Sequence, residues 1–403
     1  MIGINDIVAA RERIHDAVVM TPLVPSPSLS DRLQCHLHLK MESLQRTGSF
    51  KDRGALNRML ALSPEERRRG VVTASAGNHA QAVAYHGSKL GIPVEVVMPE
   101  HTPLIKVSNT RRYGAGVTFH GVTLSDSMVE ARRIEKDEQR TLIHAYDDEL
   151  VIAGQGTVGL EILEQLPDVS VVIVPIGGGG LISGIAVAMK EQRPEVRIIG
   201  VEAAAAASAL ASRRAGHVVS IETSETIADG IAVKAPGAHT FPIIERYVDD
   251  IVSVDEEQIA ESVHLLLERQ KILVEGAGAT PLAALLAGMV ELRGDDVAAM
   301  IISGGNIDLN LVERIIDRGM VSDGRLARLT VAVPDRPGQL ATLTQLVAAA
   351  GANVLQVTHG RAFADISMRD VEIDIDLETR GREHVDELVT MLKSHGFGVT
   401  QRV

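Results

Sequence analysis

A lysine in the segment SFKDRGA is placed where it could act as a nucleophile. Lys51 follows the turn Thr47–Ser49 and begins a predicted helix. The helix N-terminus and two nearby cations, Arg46 and Arg53, disfavour the ammonium form of its side chain. An amine that is partly neutral can form a Schiff base and later accept a proton. A lone lysine at a helix start is most often solvated, so other motifs must support this chemistry.

Three further motifs could bind polar parts of a ligand. In TASAGNHAQ, Asn78 begins a predicted helix whose free N–H groups suit a carboxylate. Gly177–Gly180 lie between a strand and a helix, where the backbone can approach a phosphate closely. Ser303 follows a strand in MIISGGN, and its hydroxyl can bond a ring nitrogen without delivering a charge. Taken singly, each also reads as an ordinary helix cap or turn.

Dinucleotide binding is the alternative interpretation of the tetraglycine segment. Gly178 and Gly180 match the first two glycines of the G-x-G-x-x-G pattern, but Ser183 occupies the third position. Glu202 lies about where an acidic ribose ligand is expected. Because the third glycine is missing and the motif lies in mid-chain, phosphate binding is favoured.

These motifs lie in a pattern typical of an α/β fold. From Ile4 to about Arg314, short β-branched runs alternate with Gly-rich turns and helical stretches. In open α/β sheets, ligands bind beyond the carboxyl ends of the strands, which is where these turns occur. Residues 328–403 have a different pattern, β-α-β-β-α-β, which predicts a ferredoxin-like domain.

Composition excludes several classes of function. The chain has 403 residues, 40 Lys+Arg against 53 Asp+Glu, a net charge of −13 and 2% aromatic residues, which argues against nucleic-acid binding. Cys35 is the only cysteine, so intrachain disulfides and thiolate metal clusters are excluded. The apolar runs are too short to span a membrane, and the amphipathic first residues are unlike a signal peptide. We therefore expect a cytoplasmic protein.

The motifs SFKDRGA, SAGNHAQ, GGGGL and SGGN, in this order, resemble the threonine dehydratases (threonine ammonia-lyases) of the pyridoxal-phosphate fold-type-II family. The resemblance implies a tryptophan synthase β-like catalytic domain over residues 1–320, built from two open twisted α/β subdomains, the smaller roughly at 45–150. The segment VAVPDRPGQLATLTQLVAAAGANV resembles an ACT domain, a small amino-acid-sensing module, here over residues 328–403.

The resemblance also assigns roles to individual residues. Lys51 would be the Schiff-base lysine and Asn78 would contact the pyridoxal 3′-oxygen. Ser303 would face the pyridine nitrogen. The remaining cofactor-binding residues would be Phe50, Gly177, Gly178, Gly179, Gly180 and Leu181. The substrate carboxylate would be held by Ser75, Ala76, Gly77, Asn78 and His79. The regulatory ligand would bind near Gly338 and Asn353.

The activity implied is deamination of L-threonine to 2-oxobutanoate and ammonia, and of L-serine to pyruvate. An amino-acid effector such as isoleucine would bind the ACT domain, and the chain would form a homo-oligomer. No metal site is predicted. Related serine racemases bind a cation through an acidic pair, of which Glu202 is retained here, whereas Ser208 replaces the second carboxylate. His36 and His38 share one strand face, an arrangement more typical of a polar surface than of a metal site.

Three alternative functions remain open at this point. A serine racemase, or another enzyme that eliminates from β-hydroxy amino acids, would share the scaffold. Ala76 stands where serine racemases carry a serine as second base, and alanine has no proton to move. A catalytically inactive amino-acid sensor is the alternative that is not an enzyme, although the retained Lys51 argues against it. A nicotinamide-dependent oxidoreductase is disfavoured by Ser183.

Overall fold

The computed structural model describes residues 1–360 and 370–402. The chain divides into two compact units, Met1–Ile307 and Asp308–Val403.

Ten strands of the first unit form two sheets. A six-stranded sheet has the order β1-β2-β10-β7-β8-β9, in which only β1 is antiparallel to its neighbour, and a four-stranded parallel sheet has the order β5-β4-β3-β6. The strands are β1 Leu23–Pro25, β2 His36–Lys40, β3 Val71–Ala74, β4 Val94–Met98, β5 Gly116–Phe119, β6 Thr141–Leu142, β7 Val171–Pro175, β8 Arg197–Ala203, β9 Asp250–Val254 and β10 Val297–Ile301. The predicted pair of open α/β sheets is confirmed.

Helices pack against these sheets, which explains the apolar composition of the central strands. Every residue of β3 and β7 is buried, as expected for strands in parallel sheets that have apolar neighbours on both faces. The helices of the first unit are α1 Ile4–Ile14, α2 Pro27–Leu33, α3 Lys51–Leu60, α4 Pro64–Arg69, α5 Asn78–Leu90, α6 Leu104–Arg111, α7 Leu124–Asp137, α8 Glu149–Gln165, α9 Gly180–Lys190, α10 Ser208–Ala215, α11 Thr240–Tyr247, α12 Glu256–Leu265 and α13 Gly276–Leu286.

The second unit contains the predicted β-α-β-β-α-β arrangement, preceded by one helix. Its strand order is β12-β13-β11-β14, and every neighbouring pair is antiparallel. Strand β13 alternates as predicted, with Val371, Ile373, Ile375 and Leu377 buried. The elements are α14 Leu309–Ser322, β11 Leu326–Pro334, α15 Gln339–Ala349, β12 Asn353–Gly360, β13 Asp370–Glu378, α16 Arg382–Ser394 and β14 Gly398–Arg402. The ferredoxin-like prediction is confirmed.

Within residues 1–360 and 370–402, no helix has both the length and the apolar character needed to cross a membrane.

Four buried charged side chains connect β2, α3 and α8. Arg53 Nη2 donates to Glu42 Oε1 and to Glu161 Oε2, each at 2.8 Å. Lys40 Nζ donates to Glu161 Oε2 at 2.6 Å. Arg53, Lys40 and Glu42 are 0% exposed, so these charges are stabilised by one another and by hydrogen bonds instead of by water. The quartet fixes α3, the helix that begins with Lys51, against α8.

Removing Arg53 should strongly destabilise the first unit. Arg53→Ala leaves two buried carboxylates without their main cationic partner, and we expect the free energy of unfolding to fall by about 3–5 kcal/mol. Arg133→Ala is the matched control, because Arg133 pairs with Glu130 and Asp137 on the surface of α7 and should contribute little. Differential scanning calorimetry of the full chain measures both variants. Equal effects would contradict this account of the quartet.

Candidate active site

Lys51 is half-buried as a residue, but its amine is surrounded by protein. Lys51 Nζ donates a hydrogen bond to the carbonyl oxygen of Ala145 at 2.7 Å and lies 5.0 Å from the centre of the Phe50 ring. Burial lowers the pKa of the Lys51 amine to about 8, while the negative charge of Glu275 acts in the opposite direction. About a tenth of this amine is therefore neutral at pH 7, the form that acts as a nucleophile.

The physical cause of this low pKa differs from the sequence-based expectation. Arg53 was expected to disfavour the ammonium form, but its guanidinium is bound by Glu42 and Glu161, which offset its charge. Loss of hydration is the largest cause of the lowered pKa of Lys51.

The predicted substrate loop connects β3 to α5. Gly77 N donates to Ser75 Oγ at 3.3 Å, and α5 begins at Asn78. Ala76 and Gly77 are partly exposed, whereas Ser75 is buried. The first N–H groups of a helix lack acceptors within that helix, so this loop offers donors to an anion.

His79 is buried in the first turn of α5 and is held neutral. Its Nε2 lies 3.0 Å from the carbonyl oxygen of Ile143 and must therefore carry the hydrogen. Burial, together with the positive charge of Lys51, lowers the pKa of His79 to about 3. This electrostatic interaction places the first turn of α5 near the Lys51 amine.

The loop after β10 reaches the same region. Phe50 N donates to the carbonyl oxygen of Ser303 at 3.0 Å, and Ser49 and Gly304 form an isolated β-bridge. Ser303 is 1% exposed. The predicted ring-nitrogen ligand is thus tied by backbone hydrogen bonds to the residue next to Lys51.

The side chain of Asn78 is held by two residues that the sequence analysis missed. Its Nδ2 lies 2.8 and 2.9 Å from the two carboxylate oxygens of Glu275. Its Oδ1 accepts a hydrogen bond from Asn306 Nδ2 at 2.8 Å. Glu275 is an isolated acidic residue at the start of the small and apolar segment GAGATPLAALL, a signal that could have identified it.

The tetraglycine turn follows β7 and leads into α9, which begins at Gly180. A Cβ atom built on Gly178 would lie 2.3–2.4 Å from three carbons of the Tyr146 ring, so no larger residue fits there. Gly179 has φ +92°, a conformation that favours glycine. Leu181 is 4% exposed, and its side chain packs in the core of the large sheet.

Tyr146 is a further residue of this region that sequence reasoning missed. It follows Ala145, the acceptor for Lys51, and its ring packs against the tetraglycine turn. Burial raises the pKa of Tyr146 to about 12, so its hydroxyl stays protonated. One segment therefore contacts both the lysine amine and the glycine turn. A tyrosine at the end of the apolar run TLIHAY, in a chain with only four tyrosines, was the available signal.

The carboxylate of Glu202 is hydrogen-bonded to backbone groups of the protein. Its two carboxylate oxygens accept hydrogen bonds from Ala209 N and Leu210 N, each at 2.8 Å, at the start of α10. The residue is 0% exposed. The carboxylate that a dinucleotide ribose would require therefore caps a helix.

Comparison with known proteins identifies the family. A family model described as pyridoxal-phosphate dependent enzyme matches residues 14–304. The chain belongs to this family. A second model, the ACT domain, matches residues 327–389. The predicted family, its cofactor pyridoxal phosphate and the C-terminal ACT domain are all confirmed.

The similar proteins include threonine ammonia-lyases and serine racemases. An L-threonine ammonia-lyase of Thermotoga maritima is 47% identical over 399 residues, which are 99% of each chain. A solved structure of threonine deaminase isoform 2 from Solanum lycopersicum has a TM-score of 0.75 and 36% identity, over 79% of this chain and 87% of that one. The structure of maize serine racemase has a TM-score of 0.74 and 36% identity, over 79% of this chain and 98% of that one.

The described residues fit the cofactor of the family. A partly neutral amine, Lys51 Nζ, suits its aldehyde. The turn at Gly177–Gly180 offers only backbone to a phosphate, because side chains are sterically excluded at Gly178, and it opens a helix N-terminus. Ser303 and Asn78 supply polar groups that suit a substituted pyridine ring.

Substituting Gly178 tests the phosphate cradle. The added methyl of Gly178→Ala must displace the Tyr146 ring or the turn, and we expect the dissociation constant for pyridoxal phosphate to rise about tenfold or more. Gly294→Ala is the control, since its added Cβ would meet the carbonyl oxygen of Gln34 at 3.9 Å, an ordinary contact. Fluorescence titration of cofactor-free protein measures both affinities. Unchanged affinity in Gly178→Ala would argue against this cradle.

Proposed function

We propose that this protein deaminates L-threonine to 2-oxobutanoate and ammonia, and L-serine to pyruvate by the same route. The observation that carries the reaction is the buried Lys51 amine, with a pKa near 8, close to the anion-binding start of α5. The substrate is supported by 47% identity, over 99% of both chains, to the L-threonine ammonia-lyase of Thermotoga maritima.

The proposed roles follow from the chemistry of each group. Bound pyridoxal phosphate supplies an electron sink that stabilises negative charge on the α-carbon of an attached amino acid. Lys51 Nζ holds the cofactor aldehyde and, when released, accepts the α-proton of the substrate. The same amine can then return a proton to the departing β-hydroxyl.

The remaining residues of the site bind and orient the cofactor and the substrate. The backbone of Gly177–Gly180 and Leu181 binds the cofactor phosphate, and Phe50 packs beside Lys51. Asn78 contacts the 3′-oxygen, and Ser303 offers a hydroxyl to the ring nitrogen without imposing a charge. The segment Ser75–His79 holds the substrate carboxylate through backbone N–H groups after Ser75, because the N–H of Ser75 itself donates to the carbonyl oxygen of Val97 at 3.1 Å.

Elimination is favoured over racemisation. The similarity to maize serine racemase makes racemisation the main competing activity. Ala76, in the loop before α5, carries no group that could exchange a proton on the opposite face of the substrate. We therefore propose that keto acid, and not D-serine, is the principal product from L-serine.

The chain is further proposed to divide into a catalytic domain, residues 1–320 with a smaller subdomain at roughly 45–150, and an ACT regulatory domain, residues 328–403. An amino-acid effector would bind near Gly338, which precedes α15, and Asn353, which begins β12. Such ligands usually bind where ACT domains pair, so a homo-oligomer, dimer or tetramer, is part of the proposal. A cytoplasmic location is also proposed.

A spectrum recorded before and after substrate addition tests the activity. Purified protein with pyridoxal phosphate should show a visible absorption band that changes with L-threonine while 2-oxobutanoate accumulates. Lys51→Ala should abolish keto-acid formation, because no amine remains to accept the α-proton. Lys89→Ala, an exposed lysine at the end of α5, is the matched control and should behave as wild type. A spectral change without keto acid would contradict the proposed reaction, and D-serine from L-serine would favour a racemase.

Isoleucine should alter the dependence of activity on threonine concentration, and valine should oppose it. Regulation requires that the effector bind two states of the protein with different affinities. Initial rates across a threonine series, with and without each branched-chain amino acid, measure the effect. Superimposable curves would refute regulation by these amino acids while leaving the catalytic proposal intact.

A further inference from the structure

The carboxylate of Glu275 is an ionisable group of the site that has no role in the proposed reaction. Glu275 is 7% exposed and directly precedes α13. Both of its oxygens lie within 2.9 Å of Asn78 Nδ2, and its backbone N donates to the carbonyl oxygen of Gly304 at 3.1 Å. One residue therefore contacts the loops that carry Asn78 and Ser303.

These contacts determine which way the Asn78 carboxamide points. A carboxylate only accepts hydrogen bonds, so the NH₂ group of Asn78 must face Glu275. Asn306 Nδ2 only donates, and it lies 2.8 Å from Asn78 Oδ1 and 2.7 Å from the carbonyl oxygen of Thr47. The amide is consequently fixed at both ends. The reversed orientation would place its oxygen against the Glu275 carboxylate and its NH₂ group against the NH₂ group of Asn306.

Glu275 also packs closely against the loop after β10. A Cβ atom built on Gly304 would lie 2.4 Å from Glu275 Oε1. Only glycine allows the carboxylate to approach the backbone next to Ser303 this closely. The position of this loop and the orientation of Asn78 thus depend on the same side chain.

The charge of Glu275 is finely balanced. Burial and the negative charge of Asp229 raise its pKa. The hydrogen bond from Asn78, the backbone N–H of Asn306 and the charge of Lys106 act in the opposite direction, and the net pKa is about 7. Lys51 also interacts with this carboxylate. Below about pH 7 the protonated form presents an O–H group to a partner that itself donates, which weakens the hold on Asn78.

We propose that Glu275 is a positioning residue for the cofactor ring, because it orients the Asn78 carboxamide and fixes the loop that carries Ser303. This inference rests on the proposed contacts of Asn78 and Ser303 with the cofactor, and not on the identity of the substrate. It assigns Glu275 no direct part in proton transfer.

The first experiment compares wild type with Glu275→Gln, which keeps the shape but loses the charge. The dissociation constant for pyridoxal phosphate should rise about tenfold at pH 8, the size expected for one hydrogen bond to a charged group. The visible band of the bound cofactor should also shift. The ratio of the two dissociation constants should approach one below pH 7, where both proteins present a neutral group at position 275 and neither has a charge there that raises the pKa of Lys51.

A double-mutant cycle separates positioning from a general structural effect. If Glu275 acts through Asn78, adding Glu275→Gln to Asn78→Ala should change the dissociation constant much less than it does in wild type. Glu256→Gln is the matched control, since Glu256 starts the neighbouring helix α12 and accepts a hydrogen bond from Ile227 N at 2.8 Å. The affinity of the Glu256→Gln variant for pyridoxal phosphate should equal that of wild type.

Glu275→Asp is a second variant, which tests the inference if the glutamine variant does not fold. It keeps the charge but withdraws the oxygens from Asn78, so it should also weaken cofactor binding. Wild-type affinity in both Glu275 variants, or fully additive effects in the cycle, would overturn the inference. Wild-type affinity in Asn78→Ala would overturn it as well, by removing the cofactor contact on which it rests. The deamination assay is independent of these results, so failure of the inference is distinguishable from failure of the proposed activity.

Discussion

The removal of one amine from water is the constraint around which the site is organised. Lys51 Nζ has lost most of its hydration, and the carbonyl oxygen of Ala145 accepts its hydrogen bond. A buried ammonium without a partnered carboxylate is unfavourable, so the neutral form becomes accessible near physiological pH. The negative charge of Glu275 limits this shift. Burial and attraction therefore oppose each other and together set how reactive the amine is.

Much of this arrangement could be predicted from the sequence, because it depends on local patterns. The alternation of β-branched runs with helical segments indicated parallel sheets, and strict alternation in β13 indicated a strand with one buried face. The four motifs lie at strand ends and helix starts, as expected for ligand-binding loops. Their order along the chain identified the family, which the comparisons confirm.

The rest could not be predicted, because it depends on contacts between segments far apart in the chain. Glu275 is 197 residues from Asn78, and nothing local to either residue indicates that their side chains meet. Tyr146 follows β6 and Gly178 follows β7, which belong to different sheets, so neither local pattern indicates that the two residues meet. The cause of the low pKa of Lys51 was likewise misjudged: sequence proximity suggested Arg53, whose charge is offset by carboxylates from β2's end and α8.

The buried quartet of Lys40, Glu42, Arg53 and Glu161 has a consequence for how such chains can change over time. Two positive and two negative groups lie together in the interior, with at most 6% of any of the four residues exposed. Losing any one of them leaves an uncompensated charge, whereas exchanging all four for apolar residues of similar volume can be neutral. We therefore expect that a substitution at one of these four positions is accompanied by substitutions at the others. In relatives that keep this packing of α3 on α8, the four residues should change together.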